Sequence, residues 1–388
     1  MQFTGPNSTC ISILILAAWV FACSYGLSFQ ANAQSTDSST ALSRECWRYE
    51  SRDIESWGAA SDSTNVYIAE RGGRIAALSI EDGKRIWSTE LDGEVVSNLL
   101  VSGQSVNVVV ASRGSGPELR TLSVVSGLIT GAARFDGIRH GIVRLINSGD
   151  GSVFAIAEDG RLFAVVRGVL TSVGSFATKL SAATSTGTVL AIASEDKLIK
   201  LFSGTGPKIN SWNLSHNAAA LAFVEDNLLV GDVRGNLYLF DPHKGRPLWR
   251  LKTGGRVSAI IPTSRSDVIV SSYDNFVYRI DVSTGHVIWR RRQAGRVSHI
   301  AILEGDVIAA ATFGERGVVL LDPVSGKEIG HAPFTDEAEL LQAPISVEGG
   351  LVIFTTSGAS LNRFGGCGGN EKAKTFAFAI STILFNGH

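Results

Sequence analysis

Residues Asp267 to Arg290 read DVIVSSYDNFVYRIDVSTGHVIWR, and Asn227 to Arg250 read NLLVGDVRGNLYLFDPHKGRPLWR. Both run through an apolar stretch, a polar turn, a second apolar stretch, an aspartate, a glycine and a tryptophan. A third copy, NVYIAERGGRIAALSIEDGKRIW, spans Asn65 to Trp87. Weaker copies surround these three, and their opening apolar residues are Val66, Val106, Val153, Val189, Leu228, Val268, Val307 and Leu351. The spacings are 40, 47, 36, 39, 40, 39 and 44 residues. A period near forty with several short apolar runs per copy is the signature of a β-propeller.

Each part of the repeat has a physical reason. Alternation in Val268 to Ser272 and Val277 to Ile280 suits strands packed between neighbouring sheets. Asp-Asn or Arg-Gly pairs supply the hairpin turn between them. Asp241 and Asp281 stand four residues ahead of Gly245 and Gly285. Such a carboxylate caps backbone N–H groups across a turn, and glycine takes a positive φ that a β-carbon opposes. Gly83 holds the same place behind Ser79. Trp87, Trp249 and Trp289 follow these glycines by four residues and read as wedges between blades.

The N-terminal stretch Cys46-Trp47-Arg48-Tyr49 resembles Leu248-Trp249-Arg250-Leu251 but has no inner strands before it. The last copy, Leu351 to Phe364, has inner strands but no tryptophan strand after it. The two halves complement each other, so the N-terminal strand is expected to complete the final blade and leave no open sheet edge. The expected fold is therefore all-β, an eight-bladed propeller over residues 45–364 closed by its N-terminal strand. Seven blades is the alternative if the degenerate third copy, which lacks both markers, is not a true blade.

Composition agrees with many short strands. The chain has 388 residues, 44% of them hydrophobic, with 42 glycines and one methionine. A net charge of −1 gives no global reason to bind nucleic acid. Ile11 to Cys23 is an apolar run of 13 residues leading to Ala31-Asn32-Ala33, a small-x-small cleavage pattern, although no Lys or Arg precedes it. Residues 1–33 are read as a signal peptide and 34–44 as a linker; an uncleaved anchor from Ile11 to Phe29 is the alternative. Cys23 follows a bulky Phe21, a poor match to a lipoprotein signal, so at most weak membrane association through the N-terminus is expected. An exported chain retains Cys46 and Cys367, which the repeat alignment brings to the closing seam. A disulfide latch is expected there, with two independent thiols as the alternative. Residues 365–388 are a tail of unassigned role. Its apolar run TFAFAISTILF, Thr375 to Phe385, matches no repeat and is too short to span a bilayer. A rim strand, a small cap or a stretch with no native role are the readings open.

The string Asp-x-x-x-Gly-x-x-x-Trp, carried by Asp281 to Trp289 and Asp241 to Trp249 and, without the Trp, by Asp322 to Gly330, resembles the repeat of the PQQ-type β-propeller family. The resemblance covers the chain up to Phe364. It implies one of two classes: quinoprotein dehydrogenases, or non-catalytic scaffolds similar to the BamB-type proteins of outer-membrane barrel assembly. The enzymes of that family are much longer and carry an adjacent cysteine pair that this sequence lacks. No acidic cluster here has calcium spacing, and the seven histidines show no metal-ligand spacing. The expectation is a non-enzymatic scaffold without cofactor, periplasmic or associated with the outer membrane, that binds protein partners. A quinone- or small-molecule-binding propeller and an extracellular adhesion or sensing module are the alternatives.

Arg256 and Arg296 directly precede inner strands, as does Arg139, and His299 lies three residues beyond Arg296. These four are the candidate rim of one channel mouth. Two readings stand: a docking place for an acidic partner segment, or a solvated rim paired with Glu94 and neighbouring carboxylates. The second is the simpler.

Overall fold

The computed structural model describes residues 45–51, 56–138, 141, 143–148, 152–166, 169–187, 189–203, 208–242, 244–315, 317–333, 340, 342–347, 350–354, 360–365 and 382–384. The expected signal peptide, the linker, Arg139 and Cys367 lie outside them. Within residues 39–388 the described strands form eight antiparallel sheets, each built around a four-strand meander. The sixth blade is typical: Val257–Pro262 is innermost, followed outward by Asp267–Ser272, Phe276–Asp281 and Val287–Arg292. The degenerate third repeat is a complete blade, Val143–Asn147, Val153–Ala157, Arg161–Val166 and Val169–Ser175, so the ring has eight blades and not seven.

The eighth blade closes the ring as the two half-repeats require. Ile345–Val347, Gly350–Phe354 and Ser360–Gly365 come from the end of the chain, and Glu45–Glu50 from its beginning. The outer pair is antiparallel, with Glu45 opposite Phe364 and Trp47 opposite Arg363, and an irregularity at Cys46 between them. Cys46 is disulfide-bonded.

Apolar side chains gather into eight clusters, one in each seam between blades. The cluster at the closing seam joins Val66, Ile68 and Leu78 of the first blade to Val347 and Val352 of the eighth, with Trp47 and Tyr49 packed on it. The closing seam is thus packed like the others. One difference from the sequence reading has a simple cause. Second strands such as Asp267–Ser272 are buried at every position, because both faces of a blade are covered by neighbours. Their apolar runs are continuous where a half-buried strand would alternate.

The repeat markers lock adjacent blades together. Gly83, Gly245 and Gly285 have φ of 69°, 64° and 72°. Beneath each lies an indole from the preceding blade: Trp47 under Gly83, Trp212 under Gly245 and Trp249 under Gly285. Trp87 and Trp289 lie likewise under Gly127 and Gly326. The Trp249 indole N–H donates to the Val282 carbonyl at 2.6 Å, and the Trp289 N–H to that of Pro323 at 3.0 Å. Glycine is required here twice over, for its dihedral and because a β-carbon would meet the ring at under 3 Å. The Asp281 carboxylate accepts from the Ser283 and Thr284 hydroxyls and from the Thr284 N–H, which holds its pKa down at about 2. Asp241 accepts from the Lys244 N–H at 3.3 Å. The outer strands of the second and third blades have no tryptophan, and edge-to-face phenylalanines fill their seams. Phe135 meets Phe163 between the second and third blades, and Phe176 meets Phe202 between the third and fourth.

Candidate partner-binding mouth

One face of the ring carries the turns between second and third strands and the links that lead into the innermost strands. The same hydrogen bond recurs there in successive blades. Val233 N–H donates to the Asn217 carbonyl at 3.0 Å, Tyr273 to Arg256 at 2.8 Å, and Phe313 to Arg296 at 3.0 Å. Val233, Tyr273 and Phe313 therefore hold one position in blades five to seven, and Asn217, Arg256 and Arg296 another. The aromatic pair is edge-to-face with centroids 6.1 Å apart, and the Arg256 guanidinium carbon lies 5.9 Å from the Tyr273 centroid. Phe313 is 47% exposed and Val233 36%. Arg296 is exposed and Arg256 half-buried.

Neither arginine makes an ion pair with a described residue. The pairing with Glu94 expected of a plain solvated rim is thus not made by either of them. Other charged groups nearby are engaged. Asp274 accepts from the Gly254 N–H at 2.7 Å and the Tyr278 hydroxyl at 2.6 Å. Buried Asp232 accepts from the backbone N–H groups of Arg234 and Asn236, each at 2.8 Å. The mouth over blades five to seven thus combines the exposed Phe313, the half-buried Tyr273 ring and two arginines without an ion-pair partner among the described residues.

His299 sits lower than the arginines, on the innermost strand Val297–Ile302. Burial pushes its imidazole down to about 4, so it is neutral at pH 7 and adds no charge to the mouth. Its Nδ1 is buried with no partner among the described residues. Sequence reasoning found the two arginines and missed the rings. The signal was available, because Val233, Tyr273 and Phe313 are spaced by one repeat of 40 residues.

Two other charged features make contacts within the fold. Arg290 of the Arg290-Arg291-Arg292 run lies 5.3 Å over the Phe276 ring. A cleft beside the third blade is lined by Arg134, Asp136, Arg161, Phe163, Leu170 and Ser172. Its Arg161 is already bound to Asp159 and to the Asp136 and Gly137 carbonyls. Among the described residues no group of three or more His, Cys, Asp or Glu could hold a metal ion. No helix among them is long and apolar enough to cross a membrane.

A family model described as outer membrane protein assembly factor BamB matches residues 39–216 and, in a second pass, 186–366. Among solved structures, the chain is similar to the computationally designed Ika8 protein, with a TM-score of 0.69 at 17% identity over 83% of this chain and 99% of that one. It is similar also to BamB from Moraxella catarrhalis, with a TM-score of 0.64 at 14% identity over the same shares. At such identities these likenesses speak for the fold alone. No curated protein matches the chain. With eight closed blades, tryptophans docked under glycine turns and a family match over most of its length, the chain belongs to the PQQ-like propeller family described as outer membrane protein assembly factor BamB.

Proposed function

We propose that this chain is a non-catalytic scaffold of the cell envelope that binds a protein partner in outer-membrane protein assembly. The partner docks at the mouth formed by blades five to seven, and Cys46 pairs with Cys367 to latch the closing blade. One observation carries the docking assignment. Arg256 and Arg296 have no ion-pair partner among the described residues, yet they flank the half-buried Tyr273 ring and the exposed Phe313 ring. Interfaces favour aromatic anchors and arginines, because a ring excludes water and a guanidinium binds a carboxylate through two parallel hydrogen bonds. A partner segment of mixed acidic and apolar character fits such a surface.

The test is complementation. Cells lacking the chain receive either the natural sequence or the double variant Arg256→Glu, Arg296→Glu, and barrel proteins reaching the outer membrane are quantified. Reversal replaces two attractions by two repulsions, so barrel protein levels fall while export and circular dichroism of the variant stay unchanged. Full complementation by the double variant would remove the mouth from the function.

A further inference from the structure

We propose that the axial channel of this propeller is a strand-accepting site, and that its occupant is the chain's own C-terminal strand, Thr382–Leu384. The innermost strand of the fourth blade, Leu180–Thr186, pairs outward with Val189–Ser194 and on its other edge, toward the axis, with Thr382–Leu384. The register is antiparallel: Ala182 faces Leu384, Ala183 faces Ile383 and Thr184 faces Thr382. The same short strand lies beside the innermost strands of the fifth and sixth blades, Ala218–Val224 and Val257–Pro262. A segment touching three innermost strands at once lies inside the ring.

Three physical arguments support a built site. The axial edge of an innermost strand presents backbone N–H and C=O groups with no neighbour in its own blade, and such groups need partners. The three strands around the segment are rich in small residues: Ser181, Ala182 and Ala183 in the fourth blade, Ala218, Ala219, Ala220 and Ala222 in the fifth, Ser258 and Ala259 in the sixth. Small side chains next to the axis leave room for one more strand. The sequence around the segment, TFAFAISTILF, has no charge and no proline, a composition that aggregates if left as a free end. Pairing of Thr382–Leu384 with the fourth blade withholds that part of it from other chains. The recognition is main-chain pairing on an edge, so the site takes extended, uncharged segments, and the tail closes it to competitors. This assignment is independent of the mouth and its arginines.

Two experiments on the full-length chain test it. In the first, Ala183→Cys and Ile383→Cys are combined and exposed to mild oxidation. Peptide mapping should then find residue 183 joined to residue 383, whereas Gly305→Cys with Ile383→Cys, a turn site outside the channel, gives no such link. In the second, a labelled synthetic peptide of residues 375–388 is titrated against the natural chain and against Ile383→Pro, which removes a ladder N–H from the tail. The natural chain should bind it at least about tenfold more weakly than the variant, since its own strand already holds the edge. No 183–383 link, or equal peptide binding by both chains, overturns the proposal.

Discussion

Replacing Gly285 by alanine tests whether blades are locked by an indole seated under a glycine turn. The glycine has φ of 72°, and a β-carbon there would stand 2.7 Å from Cδ2 of Trp249. Two costs follow. A left-handed dihedral costs a non-glycine residue about 1–2 kcal/mol. Forcing the ring aside adds about 1–3 kcal/mol, typical of overpacking. Gly305 separates the two, because its φ is 73° but a β-carbon there would meet nothing within 4 Å. Gly305→Ala should therefore cost the dihedral term alone, and Gly285→Ala that term plus the clash. In a Trp249→Ala background the clash is gone, and Gly285→Ala should fall to the cost of Gly305→Ala. The resulting coupling energy between positions 249 and 285 is about 1–3 kcal/mol. Urea unfolding followed by far-ultraviolet circular dichroism measures all the variants without relying on tryptophan emission. If Gly285→Ala costs no more than Gly305→Ala, or keeps its full cost when Trp249 is absent, the docking argument fails.

Other predictions concern the seam and the channel wall. Non-reducing peptide mapping of exported protein should recover Cys46 joined to Cys367, and reduction should lower stability by about 2–4 kcal/mol, the usual contribution of a disulfide. Two free thiols in native protein would contradict the latch. His299 is depressed from 6.5 to about 4 by burial, so the unfolded chain binds a proton more readily than the folded one between those values. Stability should therefore fall as pH drops from about 6.5 to about 4, and His299→Gln should flatten that part of the profile. An imidazole titrating near 6.5 by NMR in the folded protein would refute the burial assigned to it. Trp212→Ala should destabilise the contact between the fourth and fifth blades by about 2–4 kcal/mol, read from the urea midpoint. A change under about 0.5 kcal/mol, the size of an ordinary surface substitution, would show that Trp212 is not a wedge.

The architecture was legible because the repeat markers do mechanical work at fixed places. Asp281, Gly285 and Trp289 each serve a turn or a seam, so their spacing survives where the strands themselves drift. The two half-repeats at Trp47 and Leu351 located the closure for the same reason. Trp212 escaped notice because it follows the nearest preceding glycine, Gly206, by six residues, so a fixed four-residue spacing from glycine passes it by. The mouth was legible in part. Arginines ahead of inner strands stand out by charge, whereas Val233, Tyr273 and Phe313 look like ordinary strand residues until the blades are superposed. The apolar run Thr375 to Phe385 stood out as a possible added strand, but nothing in it named Leu180–Thr186 as the partner. The pairing joins distant segments through main-chain groups, which no side-chain pattern announces.

Photo-crosslinking from two faces of the ring tests the central claim most directly. Phe313 lies on the mouth, at the end of its second strand, and exposed Thr284 lies in a turn after a third strand, on the opposite face. A photoreactive residue is placed at one position or the other in the full-length chain within its native envelope, and adducts are identified by mass spectrometry. Crosslinks from position 313 to an outer-membrane assembly protein, lost with Arg256→Glu and Arg296→Glu and absent from position 284, are the expected result. Equal adducts from both faces, or adducts from position 284 alone, would contradict partner docking at the arginine and aromatic mouth.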